Sequence, residues 1–500
     1  MAKSIMIQGT ASNAGKSLLC AGLCRIFAQD GYKVAPFKSQ NMALNSAITA
    51  EGLEMGRAQV VQAQAAGVAP VADMNPILLK PTSNVGSQVI VGGVPRGTMG
   101  AVEYYRYKKQ LWPDVLAAYQ RLDAAYDIIV MEGAGSPAEI NLREDDFVNM
   151  GLAQRTNTPV LLCGDIDRGG VFASLYGTVK LLEEDEQALI RGLLINKFRG
   201  DPEILRPGLK QLEDLTGKPV LGVVPMLDVD IDDEDSLSTR LDRERRVGLI
   251  DIAVVRLPRL SNFTDFNPLE RLEQVTLRYV RDPRELGNPD LIILPGTKNT
   301  MDDLRWLRES GMEAKILQHA ERGGAVVGIC GGYQMLGREV SDPDHVEGGG
   351  TLRGMGLLPQ RTVFLGEKTR TQVTGSFTAG SGIFRAMKGV PFTGYEIHMG
   401  ETTLESGASP ILSLENQNGE GKTDGLAAGN VWGCYIHGIF DRGECAAALI
   451  NCLMTARGLS PEAAAVDWAD YQQQQYDKLA DGLRSALDLD RIYRILNREE

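Results

Sequence analysis

Apolar residues fall into short runs separated by stretches with helical spacing, starting at the head of the chain. Residues 4–8, 33–37, 127–131, 159–163, 192–196 and 219–224 read as strands. Between them, 16–29, 102–122, 148–155, 171–182 and 204–215 carry amphipathic helical patterns. Strands alternating with helices predict a parallel sheet with crossover helices. The pattern breaks at 228–235, where six of eight residues are acidic, and 240–246 adds mixed charge. So dense a charge run buries no apolar area and reads as a solvated linker. A second βα series follows, with strands at 249–255, 291–294 and 325–329 and helices at 300–309 and 313–321. From 348 to 432 the texture turns to Gly- and Thr-rich short strands, and 443–457 reads as a helix. Ser460 before Pro461 reads as the N-cap and first position of a C-terminal helical stretch reaching Asn497. The expected organisation is α/β: a parallel-sheet domain over 1–227, a charged linker at 228–246, a second α/β domain over 247–445 and a helical segment over 446–500.

A length of 500 residues supports more than one domain, and 43% hydrophobic with 23% charged residues is the balance of a soluble globular chain. Acidic residues outnumber basic ones 65 to 52, a net charge of −13. Nucleic-acid binding depends on Lys and Arg neutralising phosphates, so no nucleic-acid partner is expected. The longest apolar runs, such as 128–131, fall far short of the ~20 residues of a membrane helix. Met1-Ala2-Lys3-Ser4 leads into no signal-peptide core. Seven scattered cysteines make no disulfide framework. The expectation is a cytoplasmic protein with reduced thiols and no membrane partner.

Gly9-Thr10-Ala11-Ser12-Asn13-Ala14-Gly15-Lys16-Ser17 follows a predicted strand and opens a predicted helix, the context a phosphate-binding loop requires. Small residues let backbone N–H groups converge on phosphate oxygens at a helix N-terminus. Lys16 would reach the β/γ-phosphates of ATP and the Ser17 hydroxyl would ligate Mg²⁺. Five residues separate Gly9 from Gly15, one more than in the common loop. Glu132, ending an apolar strand before Gly133-Ala134-Gly135, is a second candidate Mg²⁺ ligand, since strand C-termini face the ligand crevice of a parallel sheet. Other strand-end groups are Lys38, suited to a transferring phosphoryl group, Asp165 and Asp167 for metal or substrate, and Asn196 for the nucleotide base.

Gly328-Ile329-Cys330-Gly331-Gly332 places a thiol between a strand and a helix in a glycine frame, the cysteine version of a nucleophile elbow. A lone cysteine is more often a buried core residue, and Cys20, Cys24, Cys163, Cys434, Cys445 and Cys452 lack such a frame. The helix N-terminus favours the thiolate. Among the four histidines, His437 follows an apolar strand and is placed to serve as base. The turn Pro295-Gly296-Thr297 offers a backbone N–H that, with that of Gly331, would form an oxyanion site.

The Cys330 elbow, Gly296 turn and His437 strand resemble a class I glutamine amidotransferase domain, and the N-terminal loop with Glu132-Gly133-Ala134-Gly135 resembles the dethiobiotin synthetase-type P-loop fold. Their union resembles the cobyrinic-acid amidases, through Phe37-Lys38-Ser39-Gln40-Asn41-Met42, Glu54-Met55-Gly56-Arg57-Ala58-Gln59, Gly164-Asp165-Ile166-Asp167-Arg168-Gly169-Gly170, Asn196-Lys197-Phe198-Arg199-Gly200 and Gly394-Tyr395-Glu396-Ile397-His398-Met399-Gly400. The resemblance implies ATP-dependent phosphorylation of the b, d, e and g carboxylates of adenosylcobyrinic acid a,c-diamide, a corrinoid, and amidation by ammonia from glutamine. It makes Gln40, Asn41, Asp167, Tyr395 and His398 candidates on the substrate side. Class I amidotransferases commonly carry a Glu two residues after the histidine. Here that position is Ile439 and the nearest acid is Asp441, so no orienting carboxylate is read from the sequence. Rival readings are a synthase that amidates only the a and c carboxylates and an ATP-switched partner-binding protein. Partition-type ATPases of the latter kind carry a second Lys where Ala11 stands.

Overall fold

The computed structural model describes residues 1–82, 86–232 and 247–500. Its N-terminal body is built on a six-stranded parallel sheet. The spatial order is Val220–Pro225, Ile190–Phe198, Val160–Asp165, Lys3–Gly9, Ile128–Glu132, Val34–Phe37. The inner strands alternate their side chains between two cores. Met6, Ile129 and Met131 enter one, while Ile5, Ile7, Ile128 and Val130 enter the other, as the two-residue period of a strand requires. All carry apolar side chains on both faces because helices cover both faces. Lys3–Gly9 sits mid-sheet and delivers its C-terminal end into the glycine loop and the helix Lys16–Gln29.

Residues 40–100 add elements absent from the sequence reading. A four-stranded sheet joins Gln40–Met42, Ile77–Pro81, Gly86–Val91 and Val94–Gly100, and Ser46–Ile48 pairs with Glu54–Gly56 ahead of the helix Arg57–Ala65.

The C-terminal body has a sheet ordered Val275–Val280, Ile250–Val255, Leu291–Leu294, Ala325–Ile329, Val431–Cys434, Leu426–Ala428, parallel except for its last pair. The region expected to hold only short strands contains two long antiparallel ones, Gln360–Phe377 and Pro391–Leu404. They reach the N-terminal body: Gln372 Nε2 donates to Ile48 O at 2.8 Å, and Lys368 pairs with Glu54 at 2.7 Å.

Two expectations change. Asp228 of the acidic run is exposed as expected, but the next two acids are docked: Asp232 pairs with Arg57 at 2.7 Å and accepts from Asn267 Nδ2 at 2.7 Å, and Asp230 pairs with Arg271. Residues 233–246 of that run lie outside the described residues. The C-terminal helical stretch starts at Trp468 with Asp467 as its cap, not at Ser460-Pro461, and is two helices, Trp468–Ala486 and Leu489–Leu496. Asn451 holds both backbone groups of Ala463, at 3.0 and 2.9 Å, and this tertiary contact outweighs the local start signal. The helix then returns to the N-terminal body, where Leu479 and Leu483 join its core against Lys16–Gln29. Gly22 makes room, since a Cβ there would stand 2.2 Å from Leu483 Cδ1. No helix among the described residues is long and apolar enough to cross a membrane.

Candidate functional site

At the head of the N-terminal sheet, Gly15 has φ +94°, a conformation glycine adopts without strain, and a Cβ there would stand 2.0 Å from Asn196 Nδ2. Lys16 Nζ donates to Ala11 O at 2.9 Å and Gly135 O at 3.1 Å, arching over the loop. Gly9 packs under that arch, and Thr10 N–H donates to Cys163 O at 2.9 Å. Glu132 is the hub beside it. Ser17 Oγ and Lys38 Nζ both donate to its Oε1 at 2.8 Å, and Gln62 Nε2 donates to its Oε2 at 2.6 Å, with Gln59 at 3.4 Å. A carboxylate only 1% exposed is held there by one ammonium and a ring of donors.

Other predicted residues lie differently. Asn196 and Lys197 turn onto the loop itself, donating to Ala14 O at 3.0 Å and Asn13 O at 2.6 Å, so both brace its backbone. Asp165 is on the opposite side of Lys3–Gly9 from Glu132, since their strands flank that one, and it pairs with Lys197 at 2.8 Å. Asp167 pairs with Arg199 at 3.1 Å near the surface. Gln40 accepts from the Tyr104 hydroxyl, and buried Asn41 donates to Gln59 at 3.1 Å, one step behind Glu132.

In the C-terminal body, Cys330 stands between Ala325–Ile329 and the helix Gly331–Leu336 at φ 51°, ψ −108°, a strained conformation for a residue with a side chain. The frame leaves no room for larger residues. A Cβ on Gly332 would lie 2.0 Å from Leu294 O, and one on Gly331 would lie 2.7 Å from Thr297 Cγ2. Gly296 lies against the histidine, where a Cβ would be 2.8 Å from His437 Cε1. Gly331 opens its helix, so its N–H has no partner within that helix. Cys330, His437, Thr297 and Gln334 line one pocket with Lys298, Glu347 and His398.

The orienting carboxylate is Asp265. Its Oδ2 accepts from His437 Nδ1 at 2.6 Å and its Oδ1 accepts from Gly438 N at 3.0 Å, in a group 3% exposed. Burial opposes a charged ring, but Asp265 and Cys330, both hydrogen-bonded to His437, raise its pKa to about 10. Asp441 does not take this role; burial pushes its carboxyl up to about 7. Asp265 sits in the one-turn helix Phe263–Phe266, 172 residues from its partner. No local pattern marks it.

Tyr395 stacks on His437 with ring centroids 5.5 Å apart, and its hydroxyl donates to Ser46 O at 3.0 Å while accepting from Asn262 Nδ2 at 3.1 Å. That places it behind the histidine, at the seam between the bodies. His398 is in the thiol pocket, stacked on Tyr435 and bonded to Gly400 O at 2.8 Å.

Comparison with known proteins gives this arrangement its class. A family model described as the CobQ/CobB/MinD/ParA nucleotide binding domain matches residues 5–237, and one described as the CobB/CobQ-like glutamine amidotransferase domain matches 251–445. The class is a glutamine amidotransferase joined to a nucleotide-binding domain. Over nearly its whole length the chain is similar to the cobyric acid synthases of Ruminiclostridium cellulolyticum (60% identical, covering 99% of this chain and 97% of that one) and Lachnoclostridium phytofermentans (55%, 99% and 99%). It is also similar to that of Salmonella typhimurium (51%, 100% and 99%). The chain belongs to the cobyric acid synthase family, and is an enzyme that joins glutamine hydrolysis and nucleotide use to amide formation.

Proposed function

We propose that the protein amidates the b, d, e and g carboxylates of adenosylcobyrinic acid a,c-diamide, using ATP to activate each acid and glutamine to supply the nitrogen. A carboxylate is a poor electrophile, so its oxygen first attacks the γ-phosphorus of ATP, giving an acyl phosphate and ADP. Ammonia then adds to the acyl carbon and phosphate leaves. Lys38 and Lys16 stand where they would offset the charge of bringing two anions together. The Ser17 hydroxyl and Glu132 carboxylate are the hard oxygen donors Mg²⁺ takes, and their oxygens lie 2.8 Å apart, so these two residues would hold it. The ion would supply charge neutralisation at the phosphates.

In the C-terminal body, Cys330 Sγ attacks the glutamine side-chain carbonyl carbon. The N–H groups of Gly331 and Gly296 would take the oxyanion. His437, held by Asp265, gives its proton to the departing ammonia, then accepts one from the water that hydrolyses the thioester to glutamate. The observation that supports this reading most is the alignment Asp265–His437–Cys330 on a strained turn.

Cys330→Ser tests it. Glutamine-dependent amidation should fall by at least about 10³-fold while amidation supported by added ammonium salt persists. Retention of glutamine-dependent turnover would refute the role of the thiol.

A further inference from the structure

Four buried charged groups stand at the seam between the two bodies and take no part in either reaction as derived. Glu54 Oε1 accepts from Lys80 Nζ at 2.9 Å and from Ser46 Oγ at 3.0 Å, and Glu54 Oε2 accepts from Lys368 Nζ at 2.7 Å. Lys80 and Lys368 line the same pocket as Cys330, and so does Lys298. Glu54 and Lys80 belong to the N-terminal body, Lys368 to a long strand of the C-terminal one. Burying such a cluster away from water is costly, and apolar residues of similar size would serve a merely structural seam as well.

Glu54 is also the first residue of a short unit that touches everything else. The strand Glu54–Gly56 runs directly into the helix Arg57–Ala65. Arg57 pairs with Asp232 and interacts electrostatically with Asp441 and with Tyr395, the ring stacked on His437. Gln59 and Gln62, in the first and second turns of that helix, hold Glu132 beside Ser17 and Lys38. Within nine residues the chain passes from a carboxylate that holds two lysines of the thiol pocket's wall to the phosphate site.

We propose that segment 54–62 couples glutamine hydrolysis to phosphoryl transfer, with Glu54, Lys80 and Lys368 forming the gate through which ammonia leaves the thiol pocket for the N-terminal body. Lys80 offsets Glu54, and burial pushes Lys368 down to about 7 although Glu54 opposes it, so the cluster holds no spare carboxylate to receive NH₄⁺. A buried, charge-balanced passage excludes the hydrated ion and admits neutral NH₃, the form able to attack an acyl phosphate. Burial alone would raise Glu54, but Lys368 and Lys80 hold it well below the ordinary carboxylate range, so the cluster stays locked while undisturbed. Movement of the helix with Glu132 would shift Glu54 against its lysines, because no flexible loop lies between them.

The proposal rests on the function proposed above, and its test separates the two. Lys368→Gln and Glu54→Gln would be compared with the full-length wild type in three assays: glutamate release without ATP or corrinoid, amidation with ammonium salt, and the ratio of glutamate to new amide with glutamine. Both half-reactions should stay within about threefold of wild type, the ratio should rise from one to several, and any stimulation of glutaminase by ATP and corrinoid should drop by about tenfold, the scale of a typical coupling. A ratio near one in both variants overturns the proposal, as does a parallel fall of both half-reactions, which is the signature of a structural role. Should Glu54→Gln fail to fold, Lys368→Gln and Lys368→Met, which leave Glu54 paired with Lys80, decide the matter. Loss of amidation from ammonium in the wild type would strike the proposed function instead.

Discussion

Replacing Asp265 by Asn keeps the shape of the side chain and removes its charge. In the wild type the carboxylate bonds His437 Nδ1 at 2.6 Å and the Gly438 amide at 3.0 Å, with no water-exposed alternative for either. The imidazole is raised from 6.5 to about 10, against burial, by Asp265 and Cys330 together. That rise corresponds to about 5 kcal/mol at ~1.36 kcal/mol per pKa unit. The lost hydrogen bond to a charged partner is itself worth about 1.5–3 kcal/mol, or roughly 10- to 150-fold in rate. Loss of the fixed tautomer adds to this, so glutaminase kcat/KM should fall by about 10²–10⁴-fold. The sign with pH is definite. The imidazolium that hands its proton to ammonia is present below its pKa and disappears as pH rises through it. Removing Asp265 lowers that pKa, so the alkaline decline of glutaminase should move to lower pH in Asp265→Asn, and amidation from ammonium salt should not change. Glutamate release within threefold of wild type, with an unmoved alkaline limb, would refute the reasoning.

Three further outcomes follow from the geometry. Gly15→Ala forces a side chain into φ +94° and against Asn196, at a strain of about 1–2 kcal/mol before any clash; the KM for ATP should rise at least about tenfold while glutaminase is kept. Leu483→Ala removes a fully buried side chain between the last long helix and Lys16–Gln29, and should cost about 2–5 kcal/mol, read as a lower unfolding midpoint with both half-reactions intact in the folded fraction. Glu132→Gln withdraws the carboxylate from Ser17 and Lys38, and amidation from ammonium should fall by about 10²-fold or more with the Mg²⁺ requirement shifted upward.

The central strands of both sheets are legible because each is a run of apolar residues long enough to be buried on both faces, as in Ile128–Glu132 and Leu291–Leu294. The turns that follow carry their own chemistry, so Lys16, Glu132, Cys330 and His437 stand out from residue type and setting. The three-residue strands Ser46–Ile48 and Glu54–Gly56 are too short to show a period, and they pair with each other beside a long strand of the other body. Asp265 is legible only in space, since its meaning comes from a histidine on a distant strand. Asn196 shows the converse. Its place at a strand end points to a nucleotide contact, and the structure adds a second task the sequence does not show, an amide N–H donated to Ala14 O of the loop. The length of the antiparallel arms is hidden in the sequence because Gly and Thr dilute the apolar signal, although strand pairing over Gln360–Phe377 supplies the order that composition lacks.

The most direct measurement of the division of labour between thiol and nucleotide is mass spectrometry of the corrinoid after reaction with ATP and ¹⁵N-amide glutamine. The account predicts ¹⁵N at the b, d, e and g positions, one ADP per amide, and no ¹⁵N in the product of Cys330→Ser, which forms amides only from added ammonium and with that ammonium's nitrogen. Unlabelled amides at the b, d, e or g positions, or those four carboxylates left unamidated, would contradict it.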